Sequence, residues 1–339
     1  MKIGKFLAVV LAFAKAGNAR RFPLPPSNLS NPDRGWCATP EPDESYFIGI
    51  KDVQAIEARD ARVAGKLVPR SSFFPTLRWT WTIYTFVHVV ESKVNEGLVT
   101  DAAIRWQIKV LNDTYNPYQF KFYLVKVQHY VDDKLSMGPF SSDAEYFDDF
   151  LRKTRTGQYS ELNIYIYSNY PEDEFGMCTM PNTEPLIWAM PEQIYDDGCH
   201  INAGSMPGGW IEGYNMGYTA VHEVGHWLGL MHTFQGHNCD GPGDMVADTP
   251  AQRLPTKGCP KDGVKDTCPG KEGYDAIHNF MDYSNDPCYR NFTYLQAVRM
   301  HNMYGMYRSK SVSVHKDVRK LFPDEEMEKN DGWKTSAVT

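Results

Sequence analysis

Eleven consecutive residues, His222-Glu223-Val224-Gly225-His226-Trp227-Leu228-Gly229-Leu230-Met231-His232, limit this chain more than any other feature of its 339 residues. On a helix, positions four apart lie one above the other, so His222 and His226 project from one face. Val221, Val224 and Leu228 fall on a different face and can pack into a core. Gly229 can take a positive φ, end the helix and turn the chain, which would bring His232 back to the same point. Three neutral imidazoles suit a zinc ion and leave its fourth position open to water, the arrangement of a catalytic site rather than a structural one. Zinc lowers the pKa of such a water from about 15.7 to near 7. Glu223 is placed to take its proton and hand it to a leaving amine. The bland reading is a pair of histidines satisfied in a core, and a bare H-E-x-x-H does arise that way. A glycine and a third histidine at fixed offsets count against it. A zinc site with a downstream glutamate as third ligand is weak here, because the next glutamate is Glu272, in a loop-rich stretch.

Such chemistry needs a compartment, and the N-terminus supplies one. Lys2 and Lys5 precede the apolar run Phe6 to Ala14, and small residues follow through Ala19, the order of a secretory signal cleaved after Ala16 or Ala19. The run is too short to span a bilayer, which takes roughly twenty residues. No later stretch predicts membrane insertion, so the product is expected to be secreted and extracellular. Acceptor triplets at Asn28, Asn112 and Asn291 are compatible with a glycoprotein. The formal charge of −7 and the lack of a basic block argue against nucleic-acid binding. Oligomeric state is not legible. Of seven cysteines, only Cys37 precedes residue 178, and an odd number leaves one over.

Organisation along the chain follows from composition and period. Residues 1–19 read as the signal, 20–78 as a detachable leader with a helix-capable stretch at Asp52 to Lys66, and 309–339 as a charged tail. Between them, 79–308 reads as one catalytic domain. Ile83 to Val90, Phe120 to Tyr130 and Leu162 to Tyr167 are strand candidates. Asp101 to Leu111 and Asp143 to Arg152 are helix candidates, the second capped by Ser141 or Ser142. This alternation predicts an α+β fold with a twisted, mostly parallel sheet and helices packed on it. A loop-rich stretch then leads to a helix at Tyr218 to Leu228. Residues 233–288, dense in Gly, Pro, Asp and Cys, need crosslinks or ions to hold shape.

The eleven-residue motif resembles that of the metzincin metalloproteases, and Asn279-Phe280-Met281-Asp282-Tyr283-Ser284 looks like their methionine turn. Flanking segments are similar to the pappalysin family: Pro207-Gly208-Gly209, His232-Thr233-Phe234-Gln235-Gly236, Gly243-Asp244, Asp248-Thr249-Pro250-Ala251 and Asp266-Thr267-Cys268-Pro269-Gly270. The resemblance runs from about Thr85 to Met300. It implies a cleft between an upper subdomain and an irregular, disulfide-rich lower one after Gly229. It implies that Tyr283 ligates the metal or steadies the oxyanion, against the plainer reading of a buried ring with one hydrogen bond. It also implies disulfides Cys178–Cys199, Cys239–Cys268 and Cys259–Cys288, among connectivities that the sequence alone leaves open.

Some similar proteases are kept latent by a leader cysteine on the metal. Cys37 is then either such a latch or a free or intermolecularly paired thiol. Asp240, Asp244 and Asp248 would serve calcium, or are solvated carboxylates. Relatives with an acidic residue immediately before the last cysteine favour basic substrates; here Pro287 stands there, with Asp286 one earlier, which puts that preference in doubt. The expected function is a zinc endopeptidase acting on proteins or peptides. The alternatives are a catalytically inactive secreted binding protein with the same zinc fold, and an adhesive module. The intact Glu223 argues against the first, and no stalk or repeat supports the second.

Overall fold

The structure, a computed structural model, describes residues 37–67, 79–183 and 194–309. The expected signal, the Asn28 triplet, the segment around Pro69-Arg70 and the tail beyond Ser309 lie outside the described residues.

The apolar run at Ile83 to Val90 forms the interior of β1 (Trp81–Glu91), in which every residue from Thr85 to Glu91 is buried. A strand without an exposed face must be covered on both sides, and β1 also pairs on both edges. It is parallel to β2 (Phe120–Val131) and to β3 (Leu162–Tyr167). Two strands that the sequence did not reveal complete the sheet: β4 (Gly176–Cys178) and β5 (Cys199–Asn202). The order is β2-β1-β3-β5-β4, with β4 antiparallel at the edge and tied to β5 by the Cys178–Cys199 disulfide.

The segment before β1 is more integrated than its composition implies. α1 (Glu44–Leu67) buries Tyr46, Ile50 and Val53 against Met231 and Met303, and Glu57 forms a buried ion pair with Arg299. α2 (Asp101–Tyr115) covers one face of the sheet with Ile104, Ile108 and Leu111, as their spacing predicts, and Thr100 caps it. α3 (Ala144–Thr154) covers the other face with Phe147, Phe150 and Leu151. Its cap is Asp143, whose carboxylate accepts from Tyr146 N, and not Ser141 or Ser142. A carboxylate next to a helix N-terminus gains from the helix dipole as well as from the hydrogen bond. Asn112, an expected glycan acceptor, has its amide engaged with the backbone of Phe122 in both directions, locking α2 to β2.

α4 (Tyr218–Trp227) packs against the sheet through β4 and β5, and the chain from Gly229 to Phe292 is irregular apart from short turns and isolated bridges. α5 (Tyr294–Met303), which carries Arg299, follows it, begun by a capping box between Thr293 and Gln296.

Candidate metal centre

Two glycines decide how α4 presents its histidines. A Cβ at Gly225 would sit 2.5 Å from Met281 Sδ, so only glycine lets the methionine turn press against the helix. Gly229 has φ +93°, and there the helix stops: Gly229 N donates to His226 O at 2.8 Å and Leu230 N to Gly225 O at 2.9 Å. That pair of bonds is a Schellman ending, which satisfies the last carbonyls while reversing the chain. His232 is thereby carried back to the helix.

The three imidazoles converge through Nε2. His226 Nε2 lies 3.1 Å from His222 Nε2 and 3.1 Å from His232 Nε2. Two of the opposite ring nitrogens are already committed, His222 Nδ1 to Phe280 O at 2.7 Å and His226 Nδ1 to Leu230 O at 2.8 Å. Facing a carbonyl, each of these Nδ1 atoms must carry the proton, so in the neutral ring Nε2 presents a bare lone pair. Burial holds the rings neutral, pulling His226 down to about 4 and His222 and His232 well below the usual histidine range. Lone pairs aimed at one another in a buried pocket repel unless a cation lies between them. The donor set fits a soft-to-borderline metal ion.

Cys37 completes the group. Its Sγ is 3.6 Å from His226 Nε2, and the four ligand atoms lie within 4.8 Å of one another. Burial, then the Glu223 carboxylate, pushes this thiol well above its ordinary range. A coordinating cation reverses that, since a metal-bound thiol loses its proton outright. Glu223 is fully buried, and a Cβ at Gly176 would meet its Cγ at 2.7 Å. Desolvation raises it to about 8, opposed by hydrogen bonds from Cys37 and Thr39. The Tyr283 ring centroid is 4.9 Å from that of His232, and its hydroxyl donates to Cys37 O at 3.4 Å. Met281 is fully buried against α4, a packing residue beside the histidines.

The Pregnancy-associated plasma protein-A peptidase family (Peptidase_M43) matches residues 211–305. An extracellular metalloprotease of Pyricularia oryzae is 39% identical over 275 residues, covering 80% of this chain and 89% of that one. One of Aspergillus oryzae is 33% identical over 299 residues, with the same coverage of 80% and 89%. The chain belongs to the pappalysin family. It is an extracellular metalloendopeptidase. Two Tannerella forsythia structures share the fold. A promirolysin mutant has TM-score 0.57 at 22% identity, over 88% of this chain and 98% of that one. Mature mirolysin with a cleaved peptide has TM-score 0.56 at 24% identity, over 69% and 97%.

In this pappalysin the three disulfides implied by the resemblance are formed, and Cys37 is the one free cysteine. Each of the three acidic loop residues has partners within the protein. Asp240 pairs with Lys271, Asp248 holds Thr293 Oγ1 and Leu295 N, and Asp244 is buried against Val246 N and Thr249. Among the described residues the histidine and cysteine group is the one cluster of metal-ligating side chains found. Asp286 is 1% exposed and accepts from Met216 N at 2.7 Å, two residues before α4 begins. It therefore fixes the chain leading into α4, which has no side-chain cap of its own. Thr39 was not singled out from the sequence. Its signal was there: it stands two residues after Cys37, and alternate residues of an extended segment share a face.

Proposed function

We propose that this chain is a secreted zinc endopeptidase, in which His222, His226 and His232 hold the ion, Glu223 is the general base and Cys37 keeps the unprocessed form latent. The observation that carries the reading is the convergence of three Nε2 lone pairs, with successive pairs 3.1 Å apart and the Cys37 thiol over them. Zinc, when bound, supplies Lewis-acid polarisation of the scissile carbonyl and acidifies the attacking water. Glu223, one residue from the first ligand and walled in by Gly176, takes the water's proton and returns it to the leaving amine. Tyr283, beside His222 and His232, donates its hydroxyl to the oxyanion once Cys37 O has left it. The backbone carbonyls bonded to His222 and His226 fix which nitrogen of each ring faces the metal.

Residues 1–19 are the signal, 20–78 the leader, 79–308 the catalytic domain and 309–339 a tail. Cleavage between Cys37 and Trp79 would release the block. The pro form of mirolysin covers 88% of this chain and the mature form 69%, which supports assigning the difference to a leader. Substrates are proteins or peptides.

Glu223→Gln is expected to leave metal stoichiometry unchanged while casein hydrolysis falls to background. Retained hydrolysis would refute the assignment of the base. Cys37→Ser should shorten the lag before activity appears in the full-length chain, and an unchanged time course would remove the latch.

A further inference from the structure

The leader touches more than the ligand group. Cys37 is bridged in parallel to Gly176 on the edge strand β4, and Ala38 N donates to Gly176 O at 2.8 Å. The leader thus enters the cleft as a short extended segment. In such a segment residues i and i+2 face the same way. Cys37 and Thr39 both point at the catalytic groups, Cys37 at the histidines and Thr39 at Glu223.

The Thr39 hydroxyl is committed twice. It accepts Cys178 N–H from β4 at 2.9 Å, and its own proton is donated to Glu223 Oε2 at 2.8 Å. A hydroxyl has one proton, so accepting from the strand leaves that proton free to be aimed at the carboxylate. The same arrangement occupies the edge-strand N–H and one oxygen of the base. Thr39 N in turn donates to Cys37 Sγ at 3.4 Å, so the two arms brace each other.

We propose that Thr39 is a second inhibitory residue of the leader, holding the general base by a hydrogen bond that does not depend on the thiol at the metal. The proposal rests on the reading of Glu223 and Cys37 above and adds a distinct contact to it. It follows that Cys37→Ser alone opens the zymogen incompletely. Thr39→Val combined with it opens the zymogen further.

The decisive measurement uses full-length, zinc-loaded protein in two inactive backgrounds. Glu223→Gln retains an oxygen that can accept from Thr39; Glu223→Ala does not. The rate at which iodoacetamide alkylates Cys37 reports how often the leader lifts. Thr39→Val removes the hydroxyl and keeps the shape. It is expected to raise alkylation about threefold to tenfold more in the Glu223→Gln chain than in the Glu223→Ala chain, the worth of a neutral hydrogen bond. Thr39→Ser should return the rate to that of the parent. An equal increase in both backgrounds overturns the proposal, because it makes Thr39 an anchor on β4 only. Alkylation insensitive to a zinc chelator in either parent would count against Cys37 at the metal, a failure that the two-background comparison does not share.

Discussion

The two halves that meet at Gly229 are held by different means. Above it, repeating backbone hydrogen bonds do the work: β1 pairs with β2 along its whole length and with β3 from Thr85 to Val90. Below it, no strand longer than an isolated bridge forms before α5. There, carboxylates replace the ladder. Asp282 Oδ1 accepts from Gln252 Nε2, Thr256 N and Tyr283 N, and Asp275 Oδ1 accepts from both N and Oγ1 of Thr267. Two disulfides, Cys239–Cys268 and Cys259–Cys288, close the same region. The proposed metal centre takes two histidines from the regular half and one from the irregular half. Its geometry is therefore only as good as the joint between them.

Among the side-chain contacts that cross that joint is a buried charge network, and breaking it should produce the largest effect. Asp197, buried above the joint, accepts from Arg308 at 3.0 and 3.1 Å, from Arg155 at 3.2 Å and from Thr179 Oγ1 at 2.7 Å. Arg308 also donates to the carbonyl of Trp227, the last residue of α4, and lies 3.9 Å over the Trp227 ring. The two guanidinium charges hold the Asp197 carboxyl below the usual range despite its burial. Asp197→Ala would strand two buried cations, a loss of about 3–5 kcal/mol. Denaturant unfolding of the full-length chain measures it. A loss below about 1 kcal/mol, the worth of an exposed pair, would mean that the halves are joined elsewhere.

The next test acts on the lower half alone. Removing Cys239–Cys268, with both residues changed to Ser, opens a loop spanning 29 positions and should cost about 2–4 kcal/mol. Far-UV circular dichroism should retain the helix and sheet signal, because no strand or long helix sits inside that loop. Collapse of the sheet signal at the same denaturant concentration would show that the halves do not differ in the way described.

The same contrast explains what was legible beforehand. The three long strands, α2, α3 and α4 could be read because period and β-branching repeat over many residues, as at Ile83 to Val90 and Ile104, Ile108 and Leu111. The convergence of the three histidines was legible because their spacing is local: two on one helix and the third just past Gly229. β4 and β5, with three and four residues, are too short for a period to show. The cap of α3 went to Asp143 over two nearby serines, a choice made by the path of the chain that residue type alone does not dictate. The packing of α1 is hidden by averaging: the helix is charged overall, yet Tyr46, Ile50 and Val53 fall on one face and are buried. Thr39 and Asp286 act across separations of 184 and 70 residues, and no local pattern encodes such contacts.

The smallest expected effect concerns the α3-covered face of the sheet, which has no counterpart below the joint. His88 is stacked on Tyr165 with ring centroids 4.4 Å apart, and its Nε2 lies 3.0 Å from Asn163 Oδ1. Burial pulls its pKa from 6.5 down to about 4; the Asn163 bond opposes the shift, and the Arg155 and Lys126 charges add to it. The folded protein therefore keeps this ring neutral where the unfolded chain would protonate it. The stability is present in full above about pH 6.5 and is lost as the pH falls from there towards 4. At pH 5 the loss from this one residue is up to about 2 kcal/mol. His88→Phe keeps a ring in the stack and has nothing to protonate, and Asn163 Oδ1 still receives Thr156 N. The difference in unfolding free energy between pH 8 and pH 5 should shrink by that amount in the variant, measured by urea titration with the metal held saturating. An unchanged difference would move the acid sensitivity to other buried rings such as His200, which burial pulls down to about 3, and the upper half would then owe none of its pH dependence to His88.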